Sequence, residues 1–172
     1  MIFKNKGWLS GMAKQVTDLG GYADVIMQGG SLNKNDLTNK EIDELVKHYK
    51  IKNYHGCYID DRLPKKLLNG YYVINLNGQS HWTVLLKDGK DFYYFDSFGF
   101  VASSEVEDQI GEYIYSDVDI QHINSTSCGW FCLVWMIYMQ QYEDKEFGFS
   151  CFLKLFSKDS KKNEKTLHNL LN

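Results

Sequence analysis

Ser127-Cys128-Gly129-Trp130 places a thiol after a polar loop, Asn124-Ser125-Thr126-Ser127, and at the head of a run from Trp130 to Met139 that is apolar without a break. Such a run reads as a buried helix over Cys128 to Tyr142, so the thiol stands at a helix N-terminus, where roughly half a positive charge and unpaired backbone N–H groups collect. Both favour the thiolate, the reactive form of cysteine. The Cys128 N–H can help bind the oxyanion of a tetrahedral intermediate, and Gly129 lets a substrate backbone come close. A buried, inert core cysteine is the plain alternative, because free cysteine is among the most buried residue types.

A thiol nucleophile needs a base, and the base needs a group to orient it. His81 opens one strand-like run and Asp96 closes the next. Antiparallel pairing of the two runs brings these ends to one edge of a sheet, where the imidazole and the carboxylate can meet. Taken singly, His81 reads as a surface strand residue and Asp96 as a turn former ahead of Ser97 and Gly99. The other histidines compete poorly: His48 falls in an amphipathic helix, His168 in a charged tail, and His55 and His122 have no carboxylate similarly placed. Gln121, seven residues before Cys128, offers an amide donor to an oxyanion.

The elements that must position these groups follow from pattern. Thr38 with Glu41 makes a capping box, and Ile42, Leu45, Val46 and Tyr49 continue at helical spacing, which predicts a helix over about 39–50. Tyr71 to Leu76 reads as a strand ending in an Asn77-Gly78 turn. His81 to Leu86 and Phe92 to Phe95 read as a hairpin around Lys87-Asp88-Gly89-Lys90. Ser104 with Glu107 caps a short helix that carries Val106, Ile110, Tyr113 and Ile114, and Val118 to Ile123 reads as a further strand. The lysine-rich end, Lys154 to Lys165, reads as a solvated helical surface. The first thirty residues hold six of the fourteen glycines and keep no period, so residues 1–36 form a glycine-rich arm and 37–172 the folded domain. The expected class is α+β: a mixed, largely antiparallel sheet flanked by helices, with Cys128 at the N-terminus of a buried central helix.

Composition narrows the field further. At 172 residues, 44% hydrophobic and 24% charged, the chain suits one globular domain and excludes a disordered or collagen-like polymer. Nineteen basic against 22 acidic residues leave a net charge of −3, and Arg62 is the only arginine, which speaks against nucleic acid as the default partner. The ten-residue apolar run is about half the roughly 20 needed to span a bilayer. Lys4 and Lys6 are followed by no apolar segment of a signal peptide, so export is not expected. Four cysteines without a Cys-X-X-Cys pair predict reduced thiols in an intracellular setting and no zinc site.

Together, His81-Trp82, Tyr94-Phe95-Asp96-Ser97-Phe98-Gly99, Gln121 and Ser127-Cys128-Gly129 resemble the adenovirus-type maturation cysteine proteases, which share a clan with the SUMO-deconjugating proteases. The order His, acid, Gln, Cys is the reverse of the Cys-first order of papain. The resemblance spans roughly residues 37–142, and the versions in virophages and related large DNA viruses are most similar. It implies Cys128 as nucleophile, His81 as general base, Asp96 as orienting carboxylate, Gln121 as oxyanion donor and Trp82 as a lining residue, with no metal and no cofactor. It further implies cleavage of viral capsid or core precursors, often after Gly-Gly or Gly-X-Gly, in the virion and the host-cell cytoplasm. Some adenoviral members use an activating peptide and DNA; the acidic balance here argues against the DNA. A deconjugase for ubiquitin-like proteins, which also end in Gly-Gly, and a catalytically inactive binding module are the competing expectations. Met27-Gln28-Gly29-Gly30 looks like a site such proteases cut, or is plain linker.

Overall fold

Thr38 and Glu41 exchange the expected capping bonds: the Thr38 N–H donates to Glu41 Oε2 at 2.8 Å and the Glu41 N–H to Thr38 Oγ1 at 3.3 Å. They start helix α1 (Asn39–His48), which ends two residues before the expected boundary. The computed structural model describes residues 36–78 and 81–171. Residues 1–35 of the glycine-rich arm, with the Gly29-Gly30 pair, lie outside the described residues.

Five strands follow in spatial order β1 (Tyr54–Ile59), β2 (Gly70–Asn75), β3 (Trp82–Asp88), β4 (Asp91–Phe95) and β5 (Ile114–Tyr115). The central pairs β2–β3 and β3–β4 are antiparallel, and the outer pairs β1–β2 and β4–β5 are parallel. The sheet is therefore mixed, and the fold class is α+β. The β3–β4 hairpin closes at the Asp88–Asp91 pair, with Gly89 at φ 60° supplying the left-handed conformation that the two-residue turn requires.

Period-two alternation distributes the sheet's side chains between two cores. Tyr71, Val73, Val84, Leu86 and Phe95 face one side, covered by α1, by α3 (Cys128–Met139) and by two further helices, α4 (Lys145–Leu153) and α5 (Ser160–Leu171). Tyr72, Ile74, Leu85 and Tyr94 face the other side and meet Val106 and Ile110 of α2 (Ser104–Ile110). Helix α3 has no polar face, and eleven of its twelve residues are buried. Its Trp135 stacks on Phe95 at 5.4 Å and 5° and meets Tyr71 and Phe149 edge-on.

Several expectations are corrected. Val118 to Ile123 is not a strand, because β5 already occupies the free edge of β4; the Ile120 and Gln121 N–H groups both donate instead to Ser97 O, beyond the end of β4. Helix α2 is preceded by Ser103 rather than Ser104, and Gly111 at φ 70° ends it before Tyr113 and Ile114. Strand β1 and helix α4 are additional, the latter capped by Asp144, whose side chain accepts from Phe147 N–H at 2.9 Å. The lysine-rich end is more than a solvated surface: α5 buries Asn163, Leu167 and Leu171. Among the described residues no helix is long and apolar enough to cross a membrane.

Trp135 is the keystone of the larger core. Trp135→Ala is expected to cost about 3 to 5 kcal/mol in urea unfolding, the range for emptying a buried aromatic site; a loss below ~1 kcal/mol would contradict this packing.

Candidate functional site

The β3–β4 register, with Val84 opposite Phe95, brings the entrance of β3 and the exit of β4 to the same end of the sheet. His81 immediately precedes β3 and Asp96 immediately follows β4. Their side chains meet there, His81 Nε2 to Asp96 Oδ2 at 2.9 Å. Asp96 is buried, and its second oxygen accepts the Phe98 N–H at 2.7 Å, so the carboxylate is fixed from both sides.

The N-terminus of α3 arrives at the same place. Cys128 Sγ accepts the Trp82 N–H at 3.4 Å, next to His81 in the chain. One turn further along α3, the Cys132 thiol donates to Trp82 O at 3.2 Å. Two sulfurs on one helical stripe thus fasten the first residue of β3 to α3. Burial makes the His81 ring harder to protonate, but hydrogen bonds from its ring to Asp96 and Cys128, with electrostatic attraction to the same two groups, outweigh that effect and raise its pKa to about 9. With Nε2 on Asp96, Nδ1 is the ring nitrogen left for the Cys128 sulfur. Burial, reinforced by repulsion from the neighbouring Asp96 carboxylate, holds the Cys132 thiol well above its ordinary range, and burial pushes Cys57 up to about 11 against an opposing hydrogen bond from Tyr54.

Gln121 is fully buried beside this cluster. Its Oε1 accepts from Ser97 Oγ at 2.6 Å, and its Nε2 donates to Ser125 O at 2.8 Å, which leaves one amide hydrogen for another acceptor. Trp82 is also buried, with its indole N–H donating to Leu37 O at 2.8 Å. It forms one wall of a cavity of about 430 Å³, with Leu37, Thr38, Tyr58 and Asn75 on the others. Gly129 is buried against protein: a Cβ there would come within 3.1 Å of Leu37 Cβ and 3.3 Å of Trp82 Cδ1. Its lack of a side chain lets the 37–38 segment cross the head of α3, and the space expected for a substrate backbone holds Leu37 and Trp82.

Helix α5 supplies two residues that sequence reasoning missed. Asn163 Nδ2 donates to Ile120 O at 3.0 Å, at the start of the loop that carries Gln121. Glu164 Oε2 accepts from Ser127 Oγ at 2.9 Å, at the loop's end beside Cys128. Ser127 consequently makes no side-chain cap to α3, unlike Thr38 on α1 and Asp144 on α4. Nothing in a lysine-rich segment distinguishes these two residues, whose role appears only when α5 packs on the loop. Among the described residues no cluster of His, Cys, Asp and Glu is placed to hold a metal ion.

No family model matches the chain, and no curated protein matches it. Among solved structures it is similar to the ASFV pS273R protease at 17% identity with a TM-score of 0.49, over 81% of this chain and 69% of that one.

The raised His81 pKa has a sign for stability. A group bound more tightly to its proton in the folded state contributes fully below its unfolded value, here 6.5, and loses that contribution as pH rises through about 9. The urea midpoint of wild-type protein is therefore expected to fall between pH 6.5 and 9 more steeply than that of His81→Ala. In Asp96→Asn, the NMR titration midpoint of the His81 ring should drop. An unchanged midpoint would remove Asp96 as the source of the shift.

Proposed function

We propose that the protein is a cysteine endopeptidase with Cys128 as nucleophile, His81 as proton carrier and Asp96 as the group that orients and charges the imidazole. The observation that carries this is the meeting of three side chains from two separate parts of the chain. A buried carboxylate holds one nitrogen of an imidazole whose ring also engages the sulfur at the start of a buried helix.

The chemistry follows from those contacts. With its pKa near 9 the His81 ring carries a proton at neutral pH. The Cys128 sulfur attacks the scissile carbonyl carbon, a C–S bond forms and the carbonyl electron pair moves to oxygen. Backbone N–H groups at the head of α3 and the second amide hydrogen of Gln121 stabilise that oxyanion. Collapse breaks the C–N bond while His81 gives its proton to the departing amine. His81 then takes a proton from water as water attacks the thioester, the C–S bond breaks to return the Cys128 thiolate beside the protonated His81, and the acid product leaves.

The likeness of these motifs to adenovirus-type maturation proteases suggests the substrate class: viral capsid or core precursors cut after Gly-Gly or Gly-X-Gly, in the virion or the host-cell cytoplasm. The walled cavity beside Trp82 suits an acyl segment with small side chains. An activating peptide is compatible with this scheme, and DNA is not required by it.

Incubation with a diverse peptide library and mass-spectrometric mapping of the cuts tests the activity and its specificity together. Wild-type protein should cut after glycine, and alanine in either of the two positions before the cut should suppress it. Cys128→Ala and His81→Ala should both be inactive. Gln121→Ala should lower kcat about 100-fold with little change in KM, as expected for a lost oxyanion donor. Cleavage that survives Cys128→Ala would refute the nucleophile. Preference for folded ubiquitin-like reporters over peptides would move the substrate class to deconjugation.

A further inference from the structure

The proton that His81 delivers must reach the departing amine. The segment of substrate after the scissile bond therefore leaves on the His81 side of Cys128, while the acyl segment lies on the Trp82 side. What the molecule presents beyond His81 is aromatic. The Phe98 ring lies against the imidazole, with centroids 5.1 Å apart at 33°, and Phe100 continues from Phe98 at 6.2 Å. Phe100 is 61% exposed, Val101 52% and Val118 42%.

The segment that carries Phe98 and Phe100 lies beside the loop that carries Val118, whereas Val101 lines a separate pocket with Phe92, Glu107 and Tyr113. Gly99, at φ +74°, sits so close to the neighbouring loop that a Cβ would fall 2.8 Å from the Asp117 carbonyl carbon and 3.0 Å from that of Val118. The shelf is also held in place. The Phe98 N–H is bonded to Asp96, the Gly99 N–H to Asp96 O at 3.0 Å, and Ser97 O takes the N–H groups of Ile120 and Gln121. Exposed apolar patches of this kind mark places where another chain is bound. Exposed Asp117 and Asp119 flank Val118 and give the shelf an acidic rim.

We infer that Phe98, Phe100 and Val118 form the leaving-side specificity surface, which selects substrates with an apolar residue among the first three positions after the cut and a basic residue beside it. This rests on the endopeptidase activity proposed above. The ring-to-ring steps each cover one to two residues of extended chain at ~3.3 Å per residue. Phe98 thus faces the first position after the cut, and Phe100 the second or third. Phe98 also ties the specificity surface to the catalytic pair, since its backbone holds Asp96 while its ring borders His81.

The test uses peptides that share one acyl segment and differ after the cut, Leu-Leu-Lys against Ser-Ser-Glu, together with a coumarin-amide reporter of the same acyl segment that has no residues after the cut. Wild-type protein should hydrolyse the reporter and favour the apolar, basic peptide by about tenfold or more in kcat/KM, the scale of one good apolar contact. Phe100→Ser should shrink that ratio to about twofold or less. Val118→Ser, on the other loop, should shrink it in the same direction and serves if Phe100→Ser does not fold. Reporter turnover with equal use of both peptides, or a preference that survives both substitutions, overturns this inference and leaves the protease. A wild-type protein inert toward the reporter and every peptide overturns the protease reading and this inference with it.

Discussion

A helix with no polar face can exist only where protein covers it on every side, and α3 is such a helix. Its burial fixes where its N-terminus can be. The sheet covers one flank through Tyr71, Val84 and Phe95, and α1, α4 and α5 close the rest. The head of the helix is thereby driven against the entrance of β3, where Cys128 and Cys132 bracket the Trp82 peptide. Positioning of the thiol is a by-product of core formation, and the same apolar contacts that stabilise the domain hold the sulfur in register with His81.

Asp96 imposes the second constraint. A buried carboxylate is costly unless its charge is compensated and its oxygens are bonded. The Phe98 N–H meets one oxygen and the His81 ring meets the other. Satisfying the carboxylate is therefore the same event as orienting and protonating the imidazole. The loop from Ile120 to Ser127 is tethered by comparable means, with Ser97 and Asn163 at its entry and Glu164 at its exit. Diversion of Ser127 to Glu164 keeps its hydroxyl away from the first-turn N–H groups of α3.

The sequence carried the site more legibly than its supports. The unbroken apolar run announced α3 and hence the place of Cys128, and a hairpin turn with glycine was enough to bring the ends of β3 and β4 together. The strand expected at Val118 to Ile123 did not form, since residue types say nothing about whether a sheet edge is vacant, and Ile114–Tyr115 had taken it. Strand β1 was invisible because Tyr54–Ile59 contains His55 and Gly56 and is half-buried throughout, which erases alternation. Gly129 was read as room for substrate, whereas Leu37 and Trp82 use that room. Asn163 and Glu164 are ordinary polar residues in a lysine-rich stretch and acquire meaning only from the loop they touch.

The proposed activity depends on a Cys128 sulfur made reactive by His81. An irreversible peptide vinyl sulfone that ends in Gly-Gly, followed by mass-spectrometric location of the adduct, tests it most directly. One adduct per chain is expected on Cys128, formed at neutral pH, absent from unfolded protein and slowed by at least ~100-fold in His81→Ala. Cys57 and Cys132 should stay unmodified, since burial keeps both thiols protonated. Labelling spread over several cysteines, or labelling of Cys128 at the same rate without His81, would contradict it.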